Sequence, residues 1–225
     1  MKRRHLLVVN RGPSGWPTAE PSDRTWDHVE MVWHPQAKAS GDMIVGVPAD
    51  KRKFAAFAWL AGTVPSLLDH DVVCLVDDDV LPAKGTSWNV IIERFIESGA
   101  HVGMPALTPQ SVYAHAITRQ DDDPSTRWRE TNYMDIMAVL FTRDGLRDHL
   151  DSFDTPGDQW GLELVWSHRE AKAGRNLVIL DSTPVDHLRP IGGGRDVAQA
   201  ERDCNALLAK HGIGRVEHQT LKVHR

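Results

Sequence analysis

The sequence predicts an α/β fold: a mixed, mostly parallel sheet covered by helices on both faces. Three observations carry this. Short apolar runs alternate with longer stretches of helical period along the 225 residues. The runs are nearly continuous in Val, Leu and Ile, as expected of strands buried on both faces. The clearest of them, Val72-Val73-Cys74-Leu75-Val76, leads directly into Asp77, Asp78 and Asp79. Ligands of open α/β sheets bind beyond the carboxyl ends of strands, which is where these carboxylates fall.

The elements follow in chain order. Residues 5–10 form a buried first strand ending in the polar Asn10. The Gly-, Pro- and Ser-rich stretch after it is a loop. Residues 27–33 and 42–48 are strands. Residues 51–69 begin as a helix, with Phe54, Phe57, Ala58 and Ala61 at helical spacing, and turn again at Pro65. Residues 71–77 are the acidic-tipped strand. Residues 86–99 are an amphipathic helix capped by Ser87, stopped by Gly99, with Trp88, Ile91, Ile92, Phe95 and Ile96 inward. Residues 101–107 and 114–119 read as strands, 120–127 as a polar loop and 130–142 as one long strand. A helix of about ten residues starts at Arg143. Trp160 to Ala173 is a helix, Leu177 to Leu180 a short buried strand, and 181–195 a loop. Residues 196–210 are helical and the tail is charged.

One domain over residues 1–225 accounts for the length, with the motif-bearing core at about 51–195, a C-terminal helix at 196–211 and a tail. The net charge of −5, with basic residues scattered, argues against a nucleic-acid surface. No apolar run is long enough to span a bilayer. The opening Lys2-Arg3-Arg4 precedes only five apolar-rich residues, too few for a signal-peptide core. Cys74 and Cys204 read as two idle thiols, which implies a reducing compartment, the cytoplasm. Of the eight tryptophans, Trp16, Trp26, Trp33, Trp128 and Trp160 fall in loop-like context; most are expected in the core, although loop tryptophans also make stacking platforms.

Three adjacent carboxylates repel one another unless positive charge sits among them. Asp77 and Asp79, at i and i+2 on a strand end, can converge on one divalent cation. Hard cations such as Mg²⁺ or Mn²⁺ take oxygen ligands and leave positions open for phosphates. A solvated turn is the plain alternative. The second acidic run, Asp121 to Asp123, has no apolar strand before it and is read as solvated loop. Three glycines between Arg189 and Arg195 let backbone N–H groups approach a phosphate while the arginines clamp it; a surface loop is the alternative.

Residues 71–82, DVVCLVDDDVLP, resemble the strand and DxD motif of GT-A type, nucleotide-sugar-dependent glycosyltransferases. Residues 104–119 (MPALTPQSVYAHAITR), 131–146 (TNYMDIMAVLFTRDGL), 159–166 (QWGLELVW) and 180–193 (LDSTPVDHLRPIGG) continue the pattern in order. Together they resemble a domain family of unassigned function related to those enzymes, some of whose members carry the label "lysine-ketoglutarate reductase trans-splicing related". The resemblance covers about residues 51–195. It implies a GT-A-like fold, a nucleotide-diphosphate sugar as donor, and Mn²⁺ or Mg²⁺. Asp77 then contacts ribose or sugar and joins the metal site, Asp79 binds the metal, and Asp78 is the variable middle position beside the nucleotide. His187, six residues after Asp181, completes the metal site. Asn10, Arg11 and Lys53 become donor-site residues, with Arg189 and Arg195 over the diphosphate. Glu163 stands where the family has Asp and, if the reaction inverts, becomes the base that deprotonates the acceptor, with helix capping as its alternative. Trp160, Gly161 and Asp135, the last in place of the usual Glu, fall on the acceptor side, with satisfying a buried donor as the alternative for Asp135. The acceptor is expected to be small or carrier-bound.

Three functions compete at this point. The first is a metal-dependent glycosyltransferase. The second is a haloacid-dehalogenase-type phosphatase with Asp77 as nucleophile, although its motif would lie unusually far from the N-terminus. The third is a catalytically idle nucleotide- or sugar-binding module, which the substitutions at 135 and 163 leave open.

Overall fold

A computed structural model describes residues 3–13, 15–16, 18, 21–155, 157–189 and 196–225. Among them ten strands form one sheet: β1 (His5–Arg11), β2 (Trp26–Val32), β3 (Met43–Gly46), β4 (Val72–Asp77), β5 (Val80–Pro82), β6 (Val102–Leu107), β7 (Trp128–Thr131), β8 (Ala138–Thr142), β9 (Leu177–His187) and β10 (Thr220–His224). Helices α1 (Lys53–Thr63), α2 (Trp88–Ser98), α3 (Arg143–His149), α4 (Leu162–Lys172) and α5 (Val197–His211) flank it. The strand order is β10-β7-β9-β6-β8-β4-β1-β2-β3, with β5 added to β9. Following the pairings, β1, β2, β3, β4, β6, β9 and β10 share one direction, and β5, β7 and β8 run against it. The carboxyl ends of β1, β4, β6 and β9 therefore lie along the same rim.

The expected elements hold where side-chain period and cap chemistry agree. In α2 the Ser87 hydroxyl accepts from the Val90 N–H, and Gly99 ends the helix at φ 69°, a left-handed conformation that costs glycine least. Trp88, Ile91, Ile92 and Phe95 are buried, whereas Ile96 is 48% exposed, one position beyond the buried stripe. On α1, Phe54 packs edge-on against Trp166 of α4 and against Phe153, each at 5.1 Å between ring centroids, and Phe141 of β8 meets Trp166 at 5.2 Å. This aromatic cluster ties α1 and α4 to the sheet. Cys74 and Cys204 are both free and buried. Trp26 and Trp128 are core residues of β2 and β7. No described helix is long and apolar enough to cross a membrane.

Four expectations are corrected. Residues 114–119 are not a strand: Ala116–Thr118 is a 3-10 turn, and Arg119 makes an isolated bridge to Leu107 of β6. The long strand at 130–142 is two strands whose partners differ, β7 pairing with β9 and β10, and β8 with β4 and β6. The break between them, at 132–137, frees backbone carbonyls for the site. Residues 181–187, expected as loop, extend β9, because β5 supplies a partner for Val185, Asp186 and His187. The charged tail contains β10, which pairs antiparallel with β7 at the sheet edge through a register shift between Thr220 and Lys222. Residues 190–195 lie outside the described residues.

Candidate functional site

The acidic triplet sits where β4 ends and the chain doubles back into β5. In β5, Val80 stands opposite His187 and Leu81 opposite Asp186, so the short hairpin after the triplet delivers the end of β9 to it. The Leu188 N–H also donates to the Asp79 carbonyl at 3.0 Å. More than a hundred residues of chain separate these groups, and two local pairings bring them together.

Each carboxylate meets a positive side chain. Asp77 faces the Lys53 ammonium at 3.0 Å. That ammonium also donates to the Ile136 carbonyl at 2.5 Å and the Met137 carbonyl at 3.3 Å, so its three N–H groups are committed. Lys53 is therefore a counter-charge for Asp77 and not a cation open to a nucleotide, a correction to its expected place in the donor site. Asp78 is 4% exposed and anchors the loop after β1: its Oδ2 accepts from the Gly12 N–H at 2.7 Å, and its carbonyl accepts from the Trp16 N–H at 2.9 Å. A Cβ at Gly15 would come within 2.0 Å of the same oxygen, so only glycine fits beside it. Burial pushes the Asp78 carboxyl up, against the pull of Gly12 and Arg189.

Asp79, 7% exposed, meets both His187 and Arg189. His187 Nε2 lies 3.4 Å from Asp79 Oδ2, and Arg189 Nε donates to that oxygen at 2.9 Å. A second Arg189 nitrogen donates to Asp78 Oδ1, so one guanidinium bridges two adjacent carboxylates. Burial opposes the Asp79 charge, but the hydrogen bonds from His187 and Arg189 outweigh it, and the carboxyl is lowered to about 2. The His187 pKa is raised: burial would lower it, and Asp79 and the Val112 carbonyl more than offset that.

The imidazole is held from behind. Nδ1 sits 2.6 Å from the Val112 carbonyl and donates to it, while the His187 N–H donates to Ser111 Oγ at 3.0 Å. Ser111 and Thr108 in turn bond to each other at 2.9 Å, at the end of β6. Nδ1 donating to a carbonyl leaves Nε2 as the outward nitrogen, the arrangement of metal-binding histidines. Asp79 Oδ2 and His187 Nε2 thus fit a divalent cation that takes its remaining ligands from phosphate and water. Asp77, turned toward Lys53, is not drawn into that pair.

Upstream of the triplet, Asn10 lies beside Asp77 in the parallel ladder, at the rim. Arg11 does not reach the site. It is 1% exposed and its guanidinium turns inward to Glu30 Oε1 at 2.6 Å and to the Trp16 carbonyl, which corrects its expected role at the donor. Arg195 and the three glycines before it fall among residues 190–195, outside those described.

On the acceptor side, Glu163 occupies the first turn of α4 and is 8% exposed. Both of its carboxylate oxygens lie 3.1 Å from the Gly161 N–H. Burial, reinforced by the Asp135 charge, raises its pKa to about 8. Gly161 is the helix N-cap at φ 95°, packed so closely that a Cβ would touch Cys204 Sγ at 3.0 Å. Trp160 packs, part-buried, against the small cluster of Tyr133, Leu164, Cys204 and Leu208. Asp135, in the break between β7 and β8, accepts from the Ile136 N–H at 2.7 Å, and burial raises its pKa against the charges of His115, Lys53 and His187. It therefore lies within electrostatic reach of both His187 and Glu163.

Two further features escaped the sequence. Gln159 holds φ 64° without being glycine, and its side chain joins the Phe54 N–H (3.1 Å) to the Phe153 carbonyl (3.0 Å), locking the start of α1 to the turn before α4. Asp181, the first residue of the six-residue spacing to His187, is a buried partner of Arg129, bonded at 2.9 and 3.0 Å. Its role is to hold β9 to β7, and nothing short of strand pairing could have shown that.

His101, Asp148 and Glu170 also lie close enough to share an ion. His101 precedes β6, at the opposite rim of the sheet from the triplet. Arg175 already joins Glu170 (2.7 Å) and Asp148 (3.0 Å) there, and His149 bonds Glu170 at 3.0 Å. The cluster is an ion-pair network closed by an arginine.

No family model matches the chain, and no curated protein matches it. Among solved structures, GalNAc-T7 with UDP, GalNAc and Mn²⁺ superposes with a TM-score of 0.60 at 10% identity, over 92% of this chain and 48% of that one. This chain thus spans about half the length of that structure. CMP:2-keto-3-deoxy-manno-octonic acid synthetase complexed with CTP gives 0.43 at 11% identity, over 92% and 99% of the two chains. A197 from STIV gives 0.42 at 13% identity, over 83% and 86%. The likeness to GalNAc-T7 is one of fold, and the fold is GT-A-like.

Proposed function

We propose that the chain is a metal-dependent glycosyltransferase that moves a sugar from a nucleotide-diphosphate sugar to an acceptor hydroxyl. The observation that carries this reading is the meeting of Asp79 and His187 at the shared rim of β4 and β9 in a GT-A-like sheet. The relative of similar fold is described with UDP, GalNAc and Mn²⁺. The five ordered motifs support membership of the domain family named above, and the two free, buried cysteines support a cytoplasmic protein.

In this reading Asp79 and His187 hold the divalent cation, and Asn10 and Asp77 border the donor. The cation, when bound, withdraws charge from the departing diphosphate. Arg189 adds a second positive charge beside it. The acceptor oxygen bonds to the sugar's anomeric carbon as the bond from that carbon to the diphosphate oxygen breaks. The electron pair leaves with the diphosphate. The acceptor proton passes to the Glu163 carboxylate, which must first be ionised and released from the Gly161 N–H. With the carboxyl raised to about 8, the rate rises with pH toward that value. Trp160, Gly161 and Asp135 shape the acceptor side, and the acceptor is small or carrier-bound.

Thermal shift with UDP, GDP, ADP and CDP, each with and without Mn²⁺, tests the reading. One diphosphate should raise the unfolding temperature in a Mn²⁺-dependent way, because a ligand that binds only the folded state stabilises it. Asp79→Ala should abolish that response. A folded wild-type protein that responds to none of the four would overturn the proposal.

A further inference from the structure

The Asp79 oxygen that faces His187 is already engaged by a cation that belongs to the chain. Arg189 Nε donates to Asp79 Oδ2 at 2.9 Å, and His187 Nε2 lies 3.4 Å from the same oxygen. A second Arg189 nitrogen is on Asp78. With Lys53 on Asp77, every carboxylate of the triplet touches a positive side chain without any ion. A guanidinium N–H and a metal ion cannot share one lone-pair direction of one oxygen. Resting on the reading above, we propose that Arg189 is a resident competitor for the divalent cation: an autoinhibitory contact that disfavours metal until a diphosphate is present.

The geometry supplies both halves of such a device. The two carboxylates are fixed, at 4% and 7% exposure, so the arginine is the part able to move. Its side chain is 33% exposed, and its ring contact is with the exposed Trp16, 5.9 Å from the guanidinium carbon. Its root stays in place, because the Leu188 N–H is bonded to the Asp79 carbonyl at 3.0 Å. A diphosphate offers the displaced fork a bidentate anionic acceptor within the same cleft. Metal and diphosphate then favour each other, since each gains when Arg189 leaves Asp79, and such coupling is reciprocal.

Mn²⁺ binding, followed by the electron paramagnetic resonance of the free ion, tests this with the wild type, Arg189→Ala and Arg189→Lys, alone and with each of UDP, GDP, ADP and CDP. Without nucleotide, Arg189→Ala should bind Mn²⁺ on the order of tenfold more tightly than the wild type, and the gain on adding diphosphate should shrink by a similar factor. Arg189→Lys, which keeps the charge but loses the planar fork that grips both carboxylates, should fall between. If the wild type binds Mn²⁺ with a diphosphate and Arg189→Ala binds it no more tightly without one, the competition is wrong while the glycosyltransferase reading stands. If Arg189→Lys matches the wild type, the effect is distant charge and the bridging contact is not the competitor. If no protein binds Mn²⁺ under any condition, both proposals fall. Should Arg189→Ala not fold, Arg189→Gln and Arg189→Lys carry the same comparison.

Discussion

Glu163 shows how burial at a helix start changes what a carboxyl does. Its two oxygens reach back to the Gly161 N–H at the helix start, so the group caps α4 while lying in a buried, acidic neighbourhood. Its folded-state pKa, about 8, exceeds the unfolded value near 4.3. A raised carboxyl binds its proton more tightly in the folded state, so its contribution is fully present below about pH 4 and is lost as pH rises through 8. Glu163→Gln should therefore match the wild type in stability near pH 4 and exceed it by about 5 kcal/mol at pH 9, measured by urea unfolding. Equal pH profiles for the two proteins would show that the Glu163 carboxyl titrates alike in the folded and unfolded states. Gly15 makes a steric case at the same scale. Alanine there places a Cβ 2.0 Å from Asp78 Oδ2 and should lower Mn²⁺-dependent nucleotide stabilisation while leaving the fold intact. The spacing Gly12, Gly15, Trp16 is a sequence signal of a tight approach to the triplet, beyond the loop that its Gly and Pro content predicts.

At the scale of elements, β9 is the part that assembles the site. It pairs with β7, β6 and β5 in turn, and its register with β6 shifts between Pro105 and Leu107, where β9 advances from Leu180 to Val185. That bulge determines where His187 arrives. Asp181, at its start, is buried against Arg129, with burial raising its carboxyl against the arginine's pull. Asp181→Ala leaves the guanidinium buried without its carboxylate and should cost about 3–5 kcal/mol in chemical denaturation. The companion readout is Mn²⁺ affinity, which should fall because His187 is displaced. Unchanged Mn²⁺ affinity in a destabilised variant would show that β5 alone positions the histidine. The six-residue spacing from Asp181 to His187 was visible, but its cause was not. Strand versus loop at 181–187 depends on β5, a three-residue partner about a hundred positions earlier. The same limit explains 130–142, where the apolar content was legible but the change of partner strand was not.

Across the whole molecule, buried carboxylates with basic partners set the acid limit of stability. Glu30 and Glu170, both fully buried, and Asp79 have carboxyls lowered to about 2. In each, burial works against the charge. It is outweighed by His28 and Arg11 at Glu30, by Arg175 and His149 at Glu170, and by His187 and Arg189 at Asp79. Depressed folded-state values stabilise above the unfolded pKa near 4, and that stability is lost as pH falls from about 5 to 2. The urea midpoint should drop steeply over this range, and Glu170→Gln should flatten part of the slope. Composition, periodicity and caps were enough to specify the α/β class, most helices and the parallel strands, because those depend on residues close together in the chain. They also marked the acidic strand end as the place where charge needed an answer. Which charges answer it was settled by long-range pairing alone. Lys53 is swung onto Asp77 by the break at 132–137, Arg189 is brought to Asp78 and Asp79 by β5 against β9, and Arg11 is turned inward to Glu30. Side chains meet across a sheet according to register, and register is a property of two strands at once.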